Sequence, residues 1–147
     1  MTSRSTSLYL HENTEKRLES REGVSSSRSY IINRDLRRLY IQYERALRKT
    51  DLKLNEALLI IDALNGTMTE EWWYRDTMYW EIEDAINLFK MDQKWNVDKE
   101  SLLAKINSLS DFDCMAVADA AERYWVRQEQ DIPEDDKEAL KIFFKIS

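Results

Sequence analysis

The sequence predicts a mainly α protein with one short N-terminal strand, and three observations carry that prediction. Two Gly and one Pro occur in 147 residues. Those residues punctuate sheets and loops, so their scarcity requires long helices joined by short connections. Apolar side chains recur at helical spacing along most of the chain. Residues 5–10 instead alternate, with Leu8 and Leu10 on one face behind Thr6, and Ser5, Ser7 and Tyr9 on the other.

A single strand cannot satisfy its own backbone hydrogen bonds. No second strand is legible, so the expected partner is the same strand of a second copy, paired across a two-fold axis. An obligate dimer follows from this. Residues 12–22 read as a short charged helix anchored by Leu18, with Gly23 at its C-terminal cap. Ser25, Ser26 and Ser27 are N-cap candidates for a long helix over about 27–49. Its apolar positions Ile32, Leu36, Leu39, Tyr43 and Ala46 step by four and three, making one stripe that Tyr30, Ile31, Tyr40 and Leu47 widen.

The remainder reads as wholly helical. Residues 52–64 are strongly apolar and stop near Asn65 and Gly66. Thr69 to Trp72 open a helix that runs to about Met91. Asp98 caps a helix to Leu109, and Ser110 with Asp113 forms a capping box for a helix to about Gln128. Pro133 stands ahead of a last helix over 134–146.

Charge divides the chain. Residues 1–50 hold eleven Lys and Arg against six Asp and Glu, a net of +5; residues 51–147 hold eleven against twenty-two, a net of −11. Nine of the eleven cations in the first segment are Arg, the residue suited to phosphate and base recognition. Two domains are therefore expected: a basic, polyanion-seeking head over 1–50 and an acidic helical body over 51–147. Five Trp, seven Tyr and four Phe argue against extensive disorder. No apolar run approaches eighteen residues, and the polar start lacks a signal-like apolar core. With one cysteine, the expected location is a reducing cytoplasm.

The order of strand, short helix, Gly-containing turn and Ser-opened helix resembles the ribbon-helix-helix superfamily of DNA-binding proteins. The likeness rests on Ser7, Leu8, Tyr9 and Leu10; on Glu15 to Glu19; on Gly23 to Ser29; and on Ile31 to Leu36. It covers about residues 4–48. The resemblance implies that two strands form a ribbon in the DNA major groove. Ser5, Ser7 and Tyr9 would face base edges, with Arg4 adding reach where the strand lacks long bidentate side chains. Leu8 and Leu10, with Ile32, Leu36 and Leu39, would form the dimer core. The start of the second helix would hold a phosphate through Ser26, Ser27 and Arg28. A fainter likeness, over Asp62 to Thr67 and Asp119 to Trp125, is to uncharacterised bacterial proteins with a similar head.

Elsewhere the residues argue against chemistry. Gly23 and Gly66 stand alone, so no phosphate loop exists. His11 has no ligand-type neighbour, and Cys114 reads as a small core residue. The carboxylates Glu81, Glu83 and Asp84, and Asp111 and Asp113, read as solvated faces or caps. The cluster Trp72, Trp73, Tyr74, Tyr79 and Trp80 reads first as core, with an exposed partner site as the alternative. Neither an enzyme, a metal nor a cofactor is expected. The expected function is sequence-specific double-stranded DNA binding by a homodimer, as a repressor or an antitoxin-type autoregulator whose acidic body takes a basic protein partner such as a toxin. The contrasting expectation is an all-helical interaction or adaptor module without DNA binding.

Overall fold

The computed structural model describes residues 12–19, 27–64, 74–128 and 137–146. The described residues are helical and contain no strand. The expected ribbon strand over residues 5–10, Gly23, Gly66 and Pro133 lie outside them. The chain forms two compact units, residues 1–40 and 41–147.

In the first unit, α1 (Glu12–Glu19) precedes the opening thirteen residues of α2 (Arg28–Lys49). Leu18 and Ile31 are its buried apolar side chains among the described residues. Arg28 Nη1 donates to both carboxylate oxygens of Glu15, at 2.6 and 2.9 Å, tying the start of α2 to α1.

The second unit is organised around α3 (Leu54–Leu64). Residues Glu56, Ala57, Leu58, Leu59, Ile60, Ile61 and Leu64 are all buried. A helix apolar on every side must be covered on every side. The cover comes from α4 (Arg75–Phe89), α5 (Met91–Lys94), α7 (Asp111–Gln128) and α8 (Lys137–Phe144), each of which packs on α3. Helix α6 (Lys99–Asn107) lies against α4 and buries Leu102 and Ile106. The C-terminal end of α2 joins this unit through Tyr43, whose ring centroid is 5.3 Å from that of Phe112.

Two polar ties hold α3 in register. Lys105 Nζ of α6 donates to Glu56 Oε1 (2.6 Å) and to the Asp51 carbonyl (2.8 Å), while the Lys53 backbone N–H also donates to Glu56 Oε1 (2.8 Å). At the other end, Asp62 Oδ2 accepts from Lys94 Nζ (2.7 Å) and Trp95 Nε1 (2.9 Å).

Helix ends agree with the sequence where side-chain caps exist. Asp98 accepts from the Ser101 N–H (3.2 Å). Ser110 and Asp113 form the reciprocal capping box, each bond 3.1 Å. The expected single helix from Thr69–Trp72 to Met91 is corrected. Tyr74 is extended (φ −100°, ψ 139°), so α4 starts at Arg75; Lys90 turns left-handed (φ 53°), so it stops at Phe89 and a separate turn, α5, follows. The helix after Asp98 ends at Asn107, two residues short of Leu109.

Truncating Lys105 should be costly, because Glu56 is buried and its carboxylate would lose its cation. Lys105→Met should lower unfolding free energy by about 2–4 kcal/mol. Adding Glu56→Gln should restore part of that loss. Urea unfolding of the single and double variants measures both, and additive losses would contradict the pairing.

Candidate nucleic-acid interface

The interface residues expected on the head fall into two groups. Arg4, Ser5, Ser7, Leu8, Tyr9, Leu10 and Ser26 lie outside the described residues. Ser27, Arg28, Ile32, Leu36 and Leu39 lie inside them, on or beside α2.

Ser27 is the N-cap of α2: its Oγ accepts from the Tyr30 N–H (3.3 Å) and its carbonyl accepts from the Ile31 N–H (3.1 Å). The sequence-level N-cap assignment to Ser25–Ser27 thus narrows to Ser27. No acidic residue stands in the first turn of α2, and the Glu15 carboxylate of α1 reaches that turn through Arg28. Arg28 is committed to Glu15, which makes it a brace between α1 and α2 as well as a cation beside the cap.

At 100° per residue, Ile32, Leu36, Leu39 and Tyr40 share one side of α2, and Arg34, Arg37 and Arg38 share the opposite side. The apolar side is incompletely covered. Leu36 is 40% exposed and Tyr40 49%, while Ile32 and Leu39 are half-buried. Further along the same helix, Tyr43, Ala46 and Leu47 are buried. The stripe read from sequence is therefore core over its C-terminal half and surface over Leu36 and Tyr40. Arg37 and Arg38 are exposed; Arg34 lies 6.0 Å from the Tyr30 ring centroid and 3.6 Å from Asp35.

The second unit carries the remaining candidate groups among its described residues. No group of three His, Cys, Asp or Glu side chains converges to hold a metal ion among them. Asp111 and Asp113 act as caps: Asp111 Oδ1 accepts the Arg75 backbone N–H (2.9 Å), closing the start of α4, and Asp113 closes α7. Burial raises the Asp119 carboxyl, against which the nearby Arg123 guanidinium (3.1 Å) acts. That arrangement is an i,i+4 pair on α7, with Arg123 also 5.5 Å from the Phe143 ring centroid. A cleft of about 400 Å³ is rimmed by Arg48, Lys53, Lys141 and Lys145 above Leu52 and Phe144. Lys141 is paired with Glu138 (3.2 Å) and Lys145 with Glu44 (3.7 Å), and Asp51 also lines the cleft.

The aromatic cluster is corrected: it is not core at the positions described. Tyr74 is 54% exposed and Trp80 62%, and Tyr79 is half-buried; Trp72 and Trp73 lie outside the described residues. Sequence reasoning also missed the Glu56–Lys105 and Glu15–Arg28 pairs. Glu56 was detectable as a lone carboxylate inside an apolar run, which requires a partner. No described helix is long and apolar enough to cross a membrane.

Cys114 is fully buried, and burial, followed by the nearby Asp111 and Asp113 charges, pushes its thiol up to about 12. The thiolate is the reactive form, so a disulfide reagent at pH 8 should leave the native protein unlabelled and react fully in urea. Rapid labelling of the native protein would contradict this environment.

Comparison with protein-family models, with curated proteins and with solved structures finds no match to this chain.

Proposed function

We propose that this chain is a dimeric, sequence-specific DNA-binding protein, acting as a transcriptional repressor or antitoxin-type autoregulator. The observation that carries the reading is the two-sided character of the N-terminal half of α2. One side leaves Leu36 and Tyr40 exposed beside half-buried Ile32 and Leu39. Contiguous apolar surface of this kind on a helix is stabilised by a second apolar face, and in this reading a second copy of the chain provides it. The other side carries Arg37 and Arg38 in solvent, where a duplex phosphate can reach them.

In this mechanism the residues divide the work. Leu8, Leu10, Ile32, Leu36 and Leu39 hold two copies together. Ser5, Ser7 and Tyr9, with Arg4, meet base edges in the major groove. The Ser27-capped start of α2, with Ser26 and Arg28, fixes the register on a phosphate. Phosphate contacts supply affinity and base contacts supply choice, so the two sets are separable by mutation.

Duplexes from the protein's own promoter should bind with an affinity that falls steeply with salt and exceeds that for random duplex by about 10³-fold or more. Tyr9→Ala should keep the dimer and reduce discrimination between the two duplexes. Leu36→Asp should abolish both dimer and DNA binding, read by sedimentation and by fluorescence anisotropy. Absence of binding at low salt, or a monomer at micromolar concentration, would overturn the proposal.

A further inference from the structure

The outward side of α4 is built differently from its inward side. Met78, Ile82, Ala85 and Ile86 are buried, where α4 meets α3, α6 and α7. Asp76, Trp80, Asp84 and Leu88 are spaced four residues apart and form one ridge along the helix. All four are exposed, Trp80 by 62% and Leu88 by 72%. The ridge spans about 18 Å at 1.5 Å per residue. Acidic and apolar side chains alternate along it, and Glu81, also exposed, stands beside Trp80. Arg75 pairs with Asp76 at the start of the ridge (3.3 Å) and Lys90 stands at the far end of the helix, so the carboxylates the ridge offers a partner are Glu81 and Asp84.

We infer that this ridge is a docking surface for a cationic amphipathic helix of a protein partner. Three physical arguments select that occupant. An exposed Trp and an exposed Leu on one ridge cost hydration free energy that a partner's apolar side chains recover. Trp is also the side chain that most often anchors an interface. Glu81 and Asp84, beside Trp80 and between it and Leu88, repel an acidic partner and another copy of the same ridge, and they attract Lys or Arg. Helices meet by setting the four-residue ridge of one into the groove of another. A partner helix with Leu and Lys alternating at four-residue spacing therefore matches both the apolar and the charged positions. The inference gives a location to the basic protein partner expected from the acidic body, and it stands whether or not the head binds DNA.

The test uses the full-length protein and two synthetic peptides of identical Leu, Lys and Ala composition. One places Leu and Lys alternately at four-residue spacing; the other is a scrambled isomer without an amphipathic face. Binding is read by calorimetry at two salt concentrations, with circular dichroism confirming that each protein variant remains folded. The patterned peptide should bind at least about tenfold more tightly than its isomer, and less tightly at high salt. Trp80→Ser and Leu88→Ser should each weaken it by about tenfold or more. Asp84→Lys should abolish preference for the Lys peptide and transfer it to a Glu analogue. Equal binding of the two isomers, indifference to Trp80→Ser and Asp84→Lys, or self-association removed by Trp80→Ser would each overturn the proposal. The last result would make a second copy the occupant.

Discussion

Helix α3 imposes the organisation of the second unit because it has almost no polar side to give to water. From Glu56 to Ile61 every side chain is buried, and among Leu54–Leu64 Asn55 alone is exposed. Burial of each Leu or Ile contributes about 1.5–3 kcal/mol, but only if neighbours close on all sides. Four helices therefore have to converge on α3, and they do so from sequence-distant parts of the chain. The cost is that Glu56 is carried inward with its apolar neighbours. Its carboxylate is reconciled with burial by the Lys53 N–H and by Lys105, whose ammonium also reaches the Asp51 carbonyl. That cluster joins α6 and the turn after α2 to the start of α3, so a polar obligation created by hydrophobic burial becomes a geometric restraint.

The boundaries of the surrounding helices follow from a second constraint, the near absence of glycine. Four described non-glycine residues adopt positive φ: Asp51, Lys90, Asn96 and Lys145. A left-handed conformation costs most residues about 1–2 kcal/mol, and Asn and Asp less than others. Lys90 has no such local advantage. The tertiary arrangement bears that cost, since the turn at Lys90 leads into α5, which packs on α3. The Asp111 side chain closes the start of α4 across a sequence separation of 36 residues.

These two constraints explain what the sequence did and did not disclose. Helices α2, α3, α6 and α7 were legible because their signals are local: a four-three apolar rhythm, a continuous apolar run, and the Asp98 and Ser110–Asp113 caps. The break at Lys90 was illegible because lysine carries no turn signal and the force that bends the chain is long-range. The start of α4 was misplaced for the same reason, its cap being donated by another helix. Residue burial was harder still. Periodicity gave Leu36 and Tyr40 the same standing as Tyr43 and Leu47, although two are exposed and two are core. Aromatic density suggested core at Trp80, where the alternating carboxylates of its own ridge identify a surface. On the head, Ser27 could be read as a cap from the serine run, whereas the engagement of Arg28 by Glu15 depends on how α1 meets α2.

The two exposed apolar surfaces differ in where charge stands relative to them. Leu36 and Tyr40 share a helix with Arg37 and Arg38, whereas Trp80 and Leu88 share theirs with Asp76, Glu81 and Asp84. On α2 the guanidinium groups face away from Leu36 and Tyr40, so in the proposed reading a second copy and a polyanion would meet different sides of one helix, whereas on α4 a partner at Trp80 and Leu88 would meet carboxylates on the same ridge. Apolar area alone would have made both indiscriminate. Charge acts over roughly a Debye length, about 8 Å at physiological salt. Salt should therefore weaken the proposed duplex contact of the guanidinium side of α2 and the proposed helix contact of the α4 ridge, while leaving the apolar contact proposed for Leu36 and Tyr40 intact.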